Sequence, residues 1–353
     1  MARRNCQIDY IRGLAILMVI LGHTISNNGI ADYSQSGLYK IIFALQMPLF
    51  MLISGYVFSL SSGKICSRKE FFSFIRRKSI AYLQPWLVWT IIRGVCFDDW
   101  TVNNLLSKFG YLLYHMDTGY WFLFSLWSIC VLWGIGVFAA NVLCVGHNKR
   151  AIVGSGITIC IAVLVYFVGK AVDMSFLCIK LTLYYLPFFG LGFLTSVFQK
   201  SFLKEKWVDK ASKTCVVICT AVFVFLLSQF DIVSAGESLN EIIQRITCSI
   251  AGCVLFVCCS RKIYSGCSQS KFLVSLRTSI TAAGQRSLEL YLLQYLFLNL
   301  LVLPAGESVR SPLCFIVCIL NYLMTVFLSA GLSWLIAQNQ LLNYILFAKS
   351  TER

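Results

Sequence analysis

Charge is what this sequence is short of. Only 13% of its 353 residues are Asp, Glu, Lys or Arg, about half the ~25% usual in soluble domains. By contrast 58% are hydrophobic and the mean hydropathy is +0.76. That balance excludes an ordinary water-soluble domain. No C-x-x-C pair occurs among the 16 cysteines, and most of them lie in apolar runs, where a thiol behaves as a small hydrophobe. This argues against a disulfide framework or a zinc site, and no metal is expected. A cleavable leader is missing too. The first apolar run is longer than a signal h-region, carries Arg12 and His23, and lacks a small-residue cleavage site, so it reads as a retained first span. No internal repeat is visible.

What is present is a series of apolar runs long enough to cross a bilayer, each needing about 20 residues. Ten candidates fall at roughly 9–26, 39–60, 80–97, 119–141, 151–169, 179–198, 214–231, 242–259, 280–303 and 312–338. With the N-terminus inside, the inner segments hold twenty-one Lys and Arg residues. The outer ones hold five, Lys40, Lys108, Lys170, Lys180 and Arg310. Cytoplasmic loops carry this excess of positive charge. The expected fold is an all-α polytopic membrane protein with about ten transmembrane helices and both termini cytoplasmic. Residues 1–353 are expected to form one integral-membrane domain with no appended soluble domain. The net charge of +15 is then topological, which removes nucleic acid as a partner and leaves membrane lipid.

Ionisable groups inside a membrane are costly and mark function. The first span runs Asp9-Tyr-Ile-Arg12-Gly to Gly-His23. Arg12 and His23, eleven positions apart, fall within about 20° of one helix face and about 16 Å apart along the axis. Asp9 lies three residues before Arg12, on the same side. The plainer alternative is that Asp9 and Arg12 anchor the helix at the interface and His23 is a hydrogen-bonded core residue. Span two contains Phe43-Ala-Leu-Gln-Met47-Pro48-Leu-Phe50 and Ser54-Gly55-Tyr56. Pro48 is expected to kink it, while Ser54 and Gly55 admit a close neighbour or a ligand.

The segment from Ser61 to Ser79 is the most basic, ending in Arg76-Arg77-Lys78 before Gln84-Pro85-Trp86. It reads either as a loop touching anionic lipid or as an anion site, where Arg offers bidentate contacts. The outer loop with Asp98, Asp99, His115 and Asp117 is a solvated loop or a sugar-binding surface. The segment from Lys200 to Lys213 reads as an amphipathic stretch on the inner surface, and His147 as solvated. A second polar patch, Arg286, Glu289, Tyr291 and Gln294, opens span nine. Arg286 and Glu289 are placed to pair.

With these motifs in this order, the chain resembles the acyltransferase family 3 membrane proteins, which include O-acetyltransferases of bacterial surface polysaccharides. The resemblance runs nearly the full length and rests on Asp9-x-x-Arg12-Gly…His23 followed by Phe43…Met47-Pro48-Leu49-Phe50…Ser54-Gly55-Tyr56. It implies an enzyme that moves an acyl group, usually acetyl, from cytoplasmic acetyl-CoA to a hydroxyl of a cell-surface or lipid-linked glycan. His23, Arg12 and Asp9 would form the catalytic site. Arg76, Arg77 and Lys78 would receive CoA, and Ser54, Tyr56, Arg286 and Glu289 would form a substrate or structural polar patch. His23 would act as general base or carry a transient acyl group, and Arg12 would orient the donor or stabilise the oxyanion. Family members often carry two arginines separated by two residues before span three, where this chain has Arg76-Arg77-Lys78-Ser79. They often have His where this chain has Gln294. The bacterial inner membrane is the implied location, and assembly into a homo-oligomer stays open. The competing reading is a transporter or flippase of a polar lipid or glycan precursor, which kinked spans with buried charges also suit. A membrane-bound O-acyl enzyme of the other class would place its buried His late in the chain. All three His here precede residue 150.

Overall fold

The structure is a computed structural model that describes residues 5–63, 65–101, 103–143, 147–202, 207–234, 236, 238–266, 270–304 and 306–349. The basic residues Arg3, Arg4, Lys64, Lys204, Lys206 and Arg353 lie outside the described residues. So do the side chains of His147, Lys200, Lys210 and Lys213, and with them the amphipathic inner stretch.

The chain forms α1 (Cys6–Asn27), α2 (Gly37–Ser62), α3 (Arg68–Phe97), α4 (Leu105–Tyr114), α5 (Trp121–Leu143), α6 (His147–Val172) and α7 (Ile179–Phe202). It continues with α8 (Trp207–Gln229), α9 (Leu239–Gly266), α10 (Lys271–Gln285), α11 (Ser287–Leu293), α12 (Pro312–Ala337) and α13 (Gln340–Phe347). Among the described residues there is no strand. Among the described residues eight helices (α1, α2, α3, α5, α6, α7, α9 and α12) are long and apolar enough to cross a membrane. The protein is an all-α polytopic membrane protein.

In the seventh expected span the described residues include the apolar stretch Thr214–Gln229, within α8. The ninth expected span is broken. Arg286 leaves helical geometry at φ −110° and ψ 22°, dividing α10 from α11. After a 3-10 turn at Gln294–Leu296 the chain continues irregularly toward α12. Non-helical backbone at membrane depth persists only where protein satisfies it, and here Asn321 does so. It is fully buried, its Nδ2 donates to Leu301 O at 2.8 Å, and its Oδ1 accepts from Leu301 N at 2.9 Å.

The basic segment before Pro85 is likewise no loop. Ser67 Oγ accepts from Glu70 N, and Glu70 Oε2 accepts from Ser67 N at 2.9 Å, a complete capping box. No breaker follows until Pro85, so α3 runs unbroken for 30 residues with Arg76 to Lys78 in its first half. α2 stays helical through Pro48.

The chain divides into two compact units. One comprises residues 1–50 and 205–335, the other 51–204 and 336–353. The division falls inside α2, just past Pro48.

In the first unit α1 packs along α10. Lipid tails are as apolar as Leu, so helices in a bilayer associate through close packing rather than hydrophobic drive. Glycine supplies that closeness here. A Cβ at Gly13 would stand 1.9 Å from Ile280 O, and one at Gly284 would stand 1.7 Å from Asp9 O. Ala15, Ile16, Val19 and Ile20 of α1 are fully buried.

In the second unit α2 and α7 cross in the same way: Gly55 meets Phe189 O and Gly192 meets Leu52 O, each within 2 Å of where a Cβ would sit. Beside the crossing lies an aromatic core. Phe58 packs on Phe74, Phe189 and Phe193, and Trp133 lies 4.8 Å from Phe193. α13 docks on α3. A helix C-terminus leaves its last carbonyls without partners. Gln84 Nε2 donates to Tyr344 O at 2.6 Å, and Trp89 Nε1 donates to Leu346 O at 3.0 Å.

Candidate active site

α1, in the first unit, carries the polar seam of Asp9, Arg12 and His23. Asp9 is buried, at 3% exposure, one helical turn into α1. α1 starts at an Asn5 cap whose side chain accepts from Gln7 N and Ile8 N. Asp9 Oδ2 accepts from Gln285 Nε2 of α10 at 3.5 Å. That contact is available because Gly284, beside Gln285, lets the α10 backbone reach α1. Arg12 follows, half-buried, and two turns of apolar residues separate it from Gly22 and His23.

His23 is half-buried near the C-terminal end of α1. Its ring stacks obliquely on Tyr295, with centroids 5.4 Å apart and planes at 47°. Tyr295 sits in the 3-10 turn that follows α11, so the break in the ninth span brings this ring to His23. On the neighbouring position Gly22 leaves room for Gln46 of α2: a Cβ there would lie 2.6 Å from Gln46 Oε1. Gln46 is buried, and its Oε1 has no hydrogen-bond partner among the described residues. Gln294 is fully buried. Its Nε2 donates to Tyr291 O at 3.0 Å, while its Oε1 also lacks a partner there.

Arg286 Nη1 donates to Ser333 Oγ of α12 at 3.4 Å, and Glu289 is buried in the first turn of α11. Arg286 is the residue at which the helix is interrupted.

The remaining sequence candidates belong to the second unit. Arg76 and Arg77 are exposed on α3. Lys78 is half-buried, its Nζ 5.3 Å from the Tyr82 ring centroid and 5.9 Å from that of Phe74. Ser54 and Tyr56 are half-buried on either side of Gly55 at the α2–α7 crossing. No group of three or more His, Cys, Asp and Glu among the described residues is placed to hold a metal ion.

Three residues of the seam were not singled out from sequence: Gln46, Gln285 and Tyr295. Gln46 had a usable signal, being a lone amide in an otherwise apolar stretch from Ile41 to Met47, where an unsolvated amide needs a reason. Tyr295 had none, because its approach to His23 depends on the 3-10 turn.

Long apolar helices, one of them carrying Asp, Arg and His and packed on an interrupted partner, define a polytopic membrane protein. Comparison with known proteins supplies the class. The acyltransferase domain of the acyltransferase 3 family matches residues 6–338, so the chain belongs to that family. Two relatives bear the name nodulation protein NolL. The one from Mesorhizobium japonicum is 32% identical over 130 residues, covering 35% of this chain and 33% of the relative. The one from Sinorhizobium fredii is 30% identical over 200 residues, covering 54% of this chain and 48% of the relative. The matched part thus spans half or less of these curated relatives. No solved structure matches the chain.

Proposed function

We infer that the enzyme moves an acyl group, acetyl in the simplest case, from acyl-CoA to a hydroxyl of a glycan, and that the seam on α1 is where it does so. The observation that carries this is His23, set in a family-matched span against Tyr295 at the helix break. The acceptor hydroxyl gives its proton to His23 as its oxygen attacks the thioester carbonyl. The carbonyl then re-forms, the C–S bond breaks, and the departing CoA thiolate takes the proton back from the imidazolium. General-base assistance of this kind contributes about 10²–10⁴ in rate. An acyl-His intermediate is the alternative course for the same residue. Arg12 supplies a fixed positive charge for the developing oxyanion, and Asp9, held by Gln285, orients it.

The donor is made in the cytoplasm and carries phosphates. Arg76, Arg77 and Lys78 provide the cationic group suited to them. Ser54, Tyr56, Arg286 and Glu289 belong to this reading as polar contacts for substrate or support. The acceptor is a cell-surface or lipid-linked saccharide and the location a bacterial inner membrane. The distribution of Lys and Arg supports that orientation.

The experiment is mass spectrometry of surface glycan from cells carrying wild-type protein, His23→Ala, or no gene. A base-labile acetyl ester seen only with wild type is the expected result. A glycan of unchanged mass that disappears from the surface without the gene would instead establish transport.

A further inference from the structure

The second unit contains a cavity that the acyl-transfer reading leaves unused. It has a volume of about 70 Å³ and lies between the C-terminal end of α3, the segment that follows α4, and the start of α5. That is room for several water-sized groups. We propose that this cavity is a binding site for the edge of a neutral sugar ring, the acceptor's recognition site on the outer side of the membrane. The proposal rests on the glycan-acceptor reading above and deepens it.

The walls combine two chemistries. Trp86, Trp100 and Tyr120 supply an apolar surface with polar tips, which suits the C–H edges of a sugar. Arg93 and Asp98 supply planar donors and acceptors, Arg93 Nε lying 3.4 Å from Asp98 Oδ2. A planar guanidinium and a carboxylate side by side can bind adjacent hydroxyls as donor and acceptor. Because the pair is balanced, and Asp99 and Asp117 lie close by in sequence, the site favours a neutral polyol over a phosphate.

The shape is fixed by two glycines. Trp100 lies on Gly94, where a Cβ would stand 2.3 Å from its Cδ2, and Trp100 N donates to Gly94 O at 2.9 Å. Gly119 has φ +62°, and a Cβ there would lie 3.0 Å from Arg93 Nη1. Glycine at 119 both adopts the left-handed turn and leaves the guanidinium its place. A pocket held by backbone in this way is formed before its ligand arrives, as binding sites usually are.

The test is saturation-transfer NMR on the full chain in detergent. The probes are methyl glucoside, methyl galactoside and methyl mannoside, with inorganic phosphate as competitor. At least one glycoside is expected to bind and phosphate not to displace it. Arg93→Gln is expected to weaken binding about tenfold, through the loss of a charged hydrogen bond. Asp98→Asn, at a half-exposed carboxylate, and the isosteric Thr90→Val, at a buried residue of α3 that lines the cavity, keep the fold and are expected to weaken it several-fold. Binding of none of the three glycosides, equal binding by wild type and all three variants, or displacement by phosphate overturns the proposal. A parallel acyl-transfer assay separates it from the reading beneath it. If wild type esterifies glycan and the variants keep the acceptor KM, the cavity proposal alone is wrong. If no glycan ester depends on the chain, the acceptor reading is wrong, and the binding result still decides the cavity.

Discussion

Gly13 and Gly284 let the backbones of α1 and α10 touch: the position a Cβ would take on Gly284 lies 2.7 Å from the amide nitrogen of Gly13 and 1.7 Å from the carbonyl oxygen of Asp9. Gly284→Ala therefore forces the two helices apart. The expected cost is at least the 1–3 kcal/mol typical of overpacking, read as a fall in thermal midpoint in detergent together with lost activity. Gly331→Ala on α12, where nothing lies within 4 Å of the new methyl, is the control. It should be neutral or stabilise by up to about 1 kcal/mol.

His23→Ala should abolish acyl transfer while leaving expression and thermal midpoint near wild type, since the ring is half-buried and its contact to Tyr295 is a single oblique stack. Transfer rates on membranes containing equal amounts of protein check this. Arg12→Lys keeps the charge but loses the planar fork, and a rate falling by more than tenfold is expected if the guanidinium meets the oxyanion.

Asn321 is expected to matter more than its neighbour one helical turn pair away, Ser329. Asn321 holds both polar groups of Leu301 and donates to Asn28 Oδ1 at 2.6 Å. Asn321→Leu removes the partners of these part-buried groups, costing up to about 1–3 kcal/mol each. Ser329 Oγ is buried with no partner among the described residues, so Ser329→Ala should be neutral or mildly stabilising. Paired thermal melts distinguish the two.

Asp32 ties the irregular segment before α12 to the first connecting loop. Its Oδ1 accepts from Val309 N at 2.7 Å and its Oδ2 from Ser308 Oγ at 2.8 Å. The Val309 amide first, and the Ser308 hydroxyl second, hold its carboxyl below the ordinary value of 3.8. A carboxyl lowered on folding gives its full contribution above the ordinary value and loses it as pH falls through the lowered one. Protection against hydrogen exchange at 306–311, taken relative to the intrinsic rate at each pH, should therefore be full at neutral pH and fall only below about pH 4. Asp32→Asn should remove that pH dependence.

The spans most legible in sequence are those whose apolar run is uninterrupted: α1, α2, α5 and α12 lie within a few residues of their expected bounds. α3 was misread because its first half is polar enough to look like a loop. Only the Ser67–Glu70 cap marks the true start, and hydropathy does not register a cap. The ninth span was misplaced for the opposite reason. Its apolar residues continue past Leu296, but the backbone ends its helix there, because Asn321 and Thr325 offer side-chain partners to the freed carbonyls. Those partners come from residues 20 and 28 positions away, which no local pattern reveals. Asp9, Arg12 and His23 were visible as charges out of place. Gln285 was not, since a polar residue near the edge of a run carries no such signal, nor was Tyr295, whose approach to His23 depends on the 3-10 turn.

Pro85 removes one backbone hydrogen bond from the middle of α3, and the two side chains that grip α13, Gln84 and Trp89, lie on either side of it. The C-terminal helix thus acts as a splint across the weak joint of a rod about 45 Å long. With the splint in place the charged end at Arg76 to Lys78 and the far end at Arg93 move as one lever. Cutting the chain before Gln340 would leave both ends intact and free them to swing separately.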